Sequence, residues 1–322
     1  MRSLSNPPAY YHGLATKQQR NWRRNTRRID RNEELRRDYP AFRPSSNVKV
    51  IHIHDRTRTD VVDELIRKAK ETTLYTLDTE SENHGQGALV QIECIHSINY
   101  TTVLLIETHY LPDRQSTLFE KIDELCSIIL RRDNEIISWG PIESELANFT
   151  DFGLFDIGKE TRSSNMQSLF RRWYDDTKTH PVTERREPRT GRSTVEIFDT
   201  PSDDHERKRT NDHSQRRTRS DDHSSVGTWS LQDAIASTLS LFLDKTETLN
   251  RWKCGLDPIL NTWQQQRFNR HRVDEEYERT KRARMTTYAI NDCVAVTALY
   301  FHIHPTRSDE LHNEKMRATE FD

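Results

Sequence analysis

Apolar positions along the chain gather in two blocks, residues 48–175 and 228–303, and are sparse elsewhere. In the first block, residues 48–54 alternate valine and isoleucine with polar side chains, which predicts a strand. Thr59 and Asp60 can cap a helix that carries Val61, Val62, Leu65 and Ile66. Residues 73–79 make a short apolar strand that ends in acid, followed by a turn containing Gly85 and Gly87. Residues 88–95 and 101–107 read as two more strands, the latter rich in β-branched side chains. Three successive strands with short links predict an antiparallel meander. Ser116 then caps an amphipathic helix through Leu118, Phe119, Ile122, Leu125, Ile128 and Ile129. A buried strand at 135–138, a short helix at 143–149, a strand at 154–157 and a helix at 165–174 complete the block.

The second block opens at Trp229 with a helix to about residue 241. A charged stretch at 264–284, full of Arg/Glu pairs, predicts further helix. The final helix carries Tyr288, Asp292, Val296, Leu299 and Tyr300. Three strands, a helix, a strand, a helix, another strand and then helices predict an α/β fold. The order is that of a ribonuclease H-like mixed sheet: five strands, a three-strand antiparallel meander plus parallel strands, flanked by helices.

Composition limits how much of the chain can pack. Hydrophobic residues are 33% of the 322, and mean hydropathy is −0.95. Residues 1–47 can form some helix around 20–37 but lack an apolar stripe to dock it, and are expected to be a largely disordered basic arm. Over residues 1–45, eleven Lys/Arg oppose four Asp/Glu, a surplus of seven, so the rest of a chain of net charge −2 carries −9. A basic arm on an acidic body suits a phosphate-bearing partner. Aromatic residues Tyr10, Tyr11, Trp22, Tyr39 and Phe42 interleave with its arginines. Residues 182–227 repeat Asp-Asp-His at 203–205 and 221–223 with almost no apolar content, which predicts a disordered insert. Residues 306–322 read as a polar tail, leaving 48–305 as the folded domain.

The four cysteines form no C-x-x-C pair, so a structural zinc site is not expected, and their use suits a reducing compartment. No apolar run approaches the length of a membrane span, and the N-terminus lacks a secretory apolar stretch. An intracellular protein is expected, nuclear or cytoplasmic. His52 with His54, and His302 with His304, share a face without a third ligand of fitting spacing.

Candidate chemistry lies in two places. Asp78 and Glu80 stand two apart at a strand end, so both project from one face. Tyr288 and Asp292 stand four apart on a helix and share one face. Converging carboxylates repel unless a cation lies between them, and hard oxygen donors suit a divalent ion beside a phosphodiester. With Asp78-Thr79-Glu80 go Ala88 to Ile92 on the next strand, Ser230 to Asp233, Leu243-Asp244-Lys245, Trp252 and Tyr288 to Asp292. In that order they resemble the DEDD superfamily of 3′–5′ exonucleases, in the subgroup with tyrosine in its third motif. RNase D and the Werner-type exonucleases belong to that subgroup. The similarity covers roughly residues 70–180 and 228–303.

The resemblance implies a metal-dependent 3′–5′ exonuclease domain over 48–305, hydrolysing terminal phosphodiesters at the 3′ end of RNA or single-stranded DNA. It implies two Mg²⁺ or Mn²⁺ ions, about 3.5–4 Å apart. Asp78, Glu80, Asp292 and an acid of a second motif would hold them, and Tyr288 would orient a water. The family has an aspartate in that second motif. Here no aspartate stands between the strand at 135–138 and Asp151; Glu145 is the best-placed stand-in and Glu143 the next. Lys245 and Trp252 read either as substrate contacts or as loop anchors. A second functional reading keeps the fold and binds nucleic acid or protein without turnover.

Overall fold

The computed structural model describes residues 4, 7–82, 85–155, 161–179, 228–263, 274–308 and 311. Contacts group the chain into Met1–Tyr174 with Trp229–Asp322, and Asp175–Thr228. The second group contributes to the described residues the end of one helix and Thr228. The insert expected at 182–227, most of the tail expected at 306–322 and residues 264–273 of the charged stretch lie outside the described residues.

The first group begins with helix α1 (Thr16–Asp38), then strand β1 (Asn47–Ile53) and helix α2 (Thr59–Lys70). Strands β2 (Leu74–Ser81), β3 (Gly87–Ser97) and β4 (Tyr100–Glu107) follow, then α3 (Thr117–Ile129), β5 (Glu135–Ser138) and α4 (Ile142–Leu146). Strand β6 (Arg162–Asn165), α5 (Met166–Thr179), α6 (Leu231–Leu239) and α7 (Glu275–Ile303) complete it. The sheet order is β1-β4-β3-β2-β5-β6. β2, β3 and β4 are the antiparallel meander, while β1, β5 and β6 join in parallel. The fold is α/β with the ribonuclease H-like arrangement of meander and parallel strands. It has six strands rather than the expected five, because β1 adds itself to the free edge of β4.

Side-chain alternation divides the core. Val90, Ile92 and Cys94 of β3, with Tyr75 and Leu77 of β2, pack toward Val62 and Leu65 of α2 and Ile122 and Leu125 of α3. Leu89 and Ile95 of β3, with Leu74 of β2, pack toward Phe170 of α5, Ile235 of α6 and Met285, Ala289 and Val296 of α7. β3 is therefore buried on both faces along most of its length, its polar Gln91 and Glu93 included. Asp78 and Glu80 share parity with Leu74, which aims them at the α7 face.

Two further expectations are corrected. The arm is not structureless: residues 16–38 form α1, which rests on Ala236 and Phe242 through Leu35. Its anchors are mostly polar, so an apolar-stripe criterion missed it. Asn32 accepts from Gln232 Nε2 at 2.7 Å and donates to Asp244 Oδ1 at 3.1 Å, and Arg31 pairs with Asp233 at 2.7 Å. Leu154 and Phe155, expected in a strand at 154–157, are not strand; the last strand is the polar Arg-Ser-Ser-Asn of β6, an edge that apolar periodicity cannot reveal. No described helix is long and apolar enough to cross a membrane.

One buried acid lies in the core away from the site. Glu93 accepts from Thr297 Oγ1 at 2.5 Å, and that hydroxyl meets Thr76 Oγ1 at 2.6 Å. Burial pushes the Glu93 carboxyl up to about 7 against the pull of the Thr297 hydroxyl. The folded state then holds the proton more tightly than the unfolded chain, whose ordinary value is 4.5. Its contribution to stability is intact below about pH 4.5 and declines as pH rises toward 7. We predict that Glu93→Gln removes one proton from this decline, flattening the slope of unfolding free energy by up to ~1.4 kcal/mol per pH unit. Urea denaturation of both proteins from pH 4 to 8 measures it; parallel pH profiles would reject it.

Candidate metal centre

Strand β2 ends with Asp78 opposite Gln91 and Glu80 opposite Leu89, and the register shifts between Glu80 and Ser81. Because Thr79 points the other way, the two acids lie side by side under α7. Helix α7 supplies Tyr288 and, one turn on, Asp292. One ligand oxygen from each of Asp78, Glu80 and Asp292 lies within 4.8 Å of the others. Glu80 and Asp292 are buried and Asp78 is partly buried. The carboxylates thus converge as the sequence spacing predicts.

Burial, then the neighbouring Asp292 and Glu145, push Asp78 up to about 8. Burial, then Asp78 and Asp292, raise Glu80 well above the usual carboxylate range. Asp292 is raised by burial and drawn back by Lys245. Burial, then the Asp292 and Glu80 charges, raise the Tyr288 phenol. Tyr288 hydroxyl meets Thr248 Oγ1 at 2.9 Å, and its ring packs on Trp252 with centroids 5.6 Å apart. Trp252, itself buried, therefore packs against the tyrosine.

The second acidic element differs. Gly87 admits it: a Cβ there would lie 2.5 Å from the Phe149 ring and 2.7 Å from the Asn148 carbonyl, so the chain after α4 can close on β3 only at a glycine. Glu145, on α4, is partly buried, and its Oε2 accepts from Thr79 Oγ1 at 2.9 Å. Its charge is felt by Asp78, but it stands outside the convergent group. Glu143 is exposed. Of the two alternatives, Glu145 is the one turned toward the centre, though it does not close it.

Lys245 closes it instead. Its ammonium donates to Asp292 Oδ2 at 2.6 Å and lies 5.3 Å from the Tyr288 ring centroid. Burial draws the ammonium down, but Asp292 and Asp78 outweigh it and hold it above its ordinary value. The loop that delivers it is braced by α1: Lys245 N donates to Asn32 Oδ1 at 2.9 Å, and Thr248 Oγ1 donates to the Lys245 carbonyl at 2.9 Å. The sequence offered one signal for this role, an acid surplus in buried segments that requires a cation. It gave no signal that the cation would come from the same chain.

The donor set passes one test for a divalent cation. Asp292 Oδ1 is buried and has no hydrogen-bond partner, although Oδ2 has its lysine. A buried, orphaned carboxylate oxygen in a group of three acids suits a hard ion. For a second ion the residues do not fit, because Lys245 holds one Asp292 oxygen and Thr79 holds Glu145. The histidine pairs are elsewhere engaged: His52 Nδ1 meets Glu107 Oε1 at 3.1 Å and His54 Nε2 meets Asp257 Oδ2 at 3.0 Å.

No family model matches the chain, and no curated protein matches it. Among solved structures, the Aedes aegypti Nibbler EXO domain is similar at 14% identity and TM-score 0.41, over 80% of this chain and 87% of that one. Escherichia coli RNase D, an exoribonuclease involved in structured RNA processing, is similar at 13% identity and TM-score 0.40. That match covers 84% of this chain and 50% of that one, about half its length. An EXD2 exonuclease domain soaked in Mn and GMP is similar at 12% identity and TM-score 0.32, over 83% of this chain and 95% of that one.

The brace from α1 is directly testable. Asn32→Ala deletes the acceptor of the Lys245 amide and the contacts to Gln232, Asp244 and Thr246. We expect a loss of about 1–3 kcal/mol in unfolding free energy. Hydrogen exchange at the Lys245 amide should speed up while β3 amides keep their protection. Unchanged exchange at residue 245 would show that α1 does not hold the loop.

Proposed function

We propose that this chain is a metal-dependent 3′–5′ exonuclease that hydrolyses the terminal phosphodiester of RNA or single-stranded DNA. The observation that carries this is the meeting of Asp78, Glu80 and Asp292 within 4.8 Å, with a buried Asp292 oxygen left unpartnered. These three side chains would hold a Mg²⁺ or Mn²⁺ ion. Such an ion, when bound, lowers the pKa of a water and polarises a phosphoryl oxygen. Tyr288 has its hydroxyl fixed by Thr248, so it can orient an attacking water rather than merely fill space. Lys245 adds a positive charge beside Asp292, where negative charge grows during attack on a phosphodiester. The 3′ polarity and the exonucleolytic mode are carried over from the motif resemblance.

Nucleic acid as partner has its own support. Arg28 of α1 lies close enough to Tyr288 to couple with it electrostatically, and to Arg24 on the preceding turn. Arginines four apart on one helix, beside an acidic centre, offer phosphate contacts to a strand whose end lies in the centre.

A second reading has one observation in its favour: the Lys245–Asp292 pair and the displacement of Glu145 leave the centre short of the four-acid pattern. On that reading the chain binds single strands without turnover. A 5′-labelled oligonucleotide with Mn²⁺ separates the two. We expect stepwise shortening from the 3′ end, reduced at least ~10²-fold by Asp78→Ala and by Asp292→Ala in folded protein. Retention of binding without shortening in the wild type would favour the second reading, and equal shortening by all three proteins would reject the metal centre.

Arg28→Ala should weaken oligonucleotide binding for every sequence alike and reduce the slope of log K against log salt by about 0.7. A fluorescence-anisotropy salt titration reads both, and an unchanged slope would remove Arg28 from the phosphate contacts.

A further inference from the structure

Four observations concern Lys245. Its Nζ lies 2.6 Å from Asp292 Oδ2, both side chains being largely withdrawn from solvent at 19% and 2% exposure. The same ammonium is held from a second side by the Tyr288 ring, 5.3 Å from its centroid. Its backbone is fixed at both ends, by Asn32 and by Thr248. The flanking Asp244 is tied to Thr246, Asn32 and Arg36. A lysine so held is not a surface side chain that has drifted into a gap.

Charge balance shows what this does to the centre. Three ionised carboxylates against one ammonium leave two negative charges, which one divalent ion neutralises. A second divalent ion would leave the buried group with two uncompensated positive charges, a costly state in a low-dielectric site. Glu145, the acid that could offset part of this, is turned to Thr79. Among the described residues one cluster, Asp78, Glu80 and Asp292, brings ligand oxygens within 4.8 Å of one another, and Asp292 Oδ1 is buried without a hydrogen-bond partner.

We propose that Lys245 is a permanent tethered cation of this centre, standing where the motif pattern calls for one of two metal ions, so that the centre takes a single divalent ion. This deepens the proposed function and rests on it. The ammonium supplies a fixed positive point charge with N–H donors. It contributes electrostatic stabilisation but cannot generate a hydroxide. Tyr288 would then orient the water that a single bound ion would polarise.

The test counts ions without reference to activity. Mn²⁺ is titrated calorimetrically into the full chain, free of nucleic acid, and electron paramagnetic resonance reports whether bound ions are paired. Ions bound elsewhere, including on the Asp-Asp-His repeats, are subtracted by repeating each titration with Asp292→Asn. We expect one isolated Mn²⁺ at the centre of the wild type and of Lys245→Arg. In Lys245→Met we expect two, with a spin-coupled signal. A coupled pair in the wild type, or a single ion in folded Lys245→Met, overturns the proposal while leaving the metal centre standing. Because Lys245→Met loses the partner of a buried carboxylate and can fail to fold, the wild-type spectrum decides alone in that case. Absence of Mn²⁺ from every protein overturns both this proposal and the metal centre beneath it.

Discussion

The structure turns on the repulsion among three carboxylates brought within 4.8 Å of one another under a helix. Two like charges about 4 Å apart cost roughly 4 kcal/mol at the effective dielectric of a protein surface, and more when buried. Three pairs of that size exceed what a marginally stable domain can spare. The centre offsets them in two ways. Lys245 pairs with Asp292, and burial, then the Asp292 and Glu145 charges, push Asp78 up to about 8, toward its neutral form. Glu80 is raised in the same direction. A divalent cation held among the three would relieve the same repulsion.

That balance explains why a helix at the N-terminus belongs to the site. Asn32 accepts from the backbone amide of Lys245 and from the side chain of Gln232 on α6. The segment after α1 adds a short bridge, with Phe42 N donating to the Phe242 carbonyl at 2.7 Å and Phe242 N to the Pro40 carbonyl at 2.7 Å. The loop carrying Lys245 is therefore clamped on both sides by the first 42 residues of the chain. The basic surplus of this region and its structural role are joined: polar faces dock the helix, and Arg28 on it feels the Tyr288 side chain.

How far the residue order disclosed this depended on the kind of interaction. The meander, α3 and the buried β3 came from apolar periodicity, because burial on a sheet imposes period two and burial on a helix imposes period 3.6. The pairing of Asp78 with Glu80, and of Tyr288 with Asp292, followed from the same periods. β6 was illegible because Arg162–Asn165 carries no apolar residue and gains its place by backbone pairing with β5. α1 was illegible because Asn32, Arg31 and Arg36 dock it by hydrogen bonds and ion pairs, which leave no period in hydropathy. Glu145 could be nominated but not oriented: its partner Thr79 lies 66 positions away, and only packing reveals which oxygen turns where. Lys245 was visible as a residue and invisible as a cation for the same reason.

Precision at the centre comes from neutral groups rather than from the charges. Helix α7 must hold Asp292 over β2 to within a fraction of an ångström for any ion chemistry to work. Charged contacts alone would not fix it, since their energy changes slowly with distance. The adjacent residue, Cys293, points its thiol at the Thr76 carbonyl at 3.3 Å. One turn further, Thr297 Oγ1 meets Thr76 Oγ1 at 2.6 Å and donates to Glu93. Thr76 is two residues before Asp78 on the same face of β2. Short directional contacts therefore tie helix to strand within a turn of both acids. They fall off steeply with misalignment, so they set the register of α7 on the sheet and leave the carboxylates to be aimed rather than held.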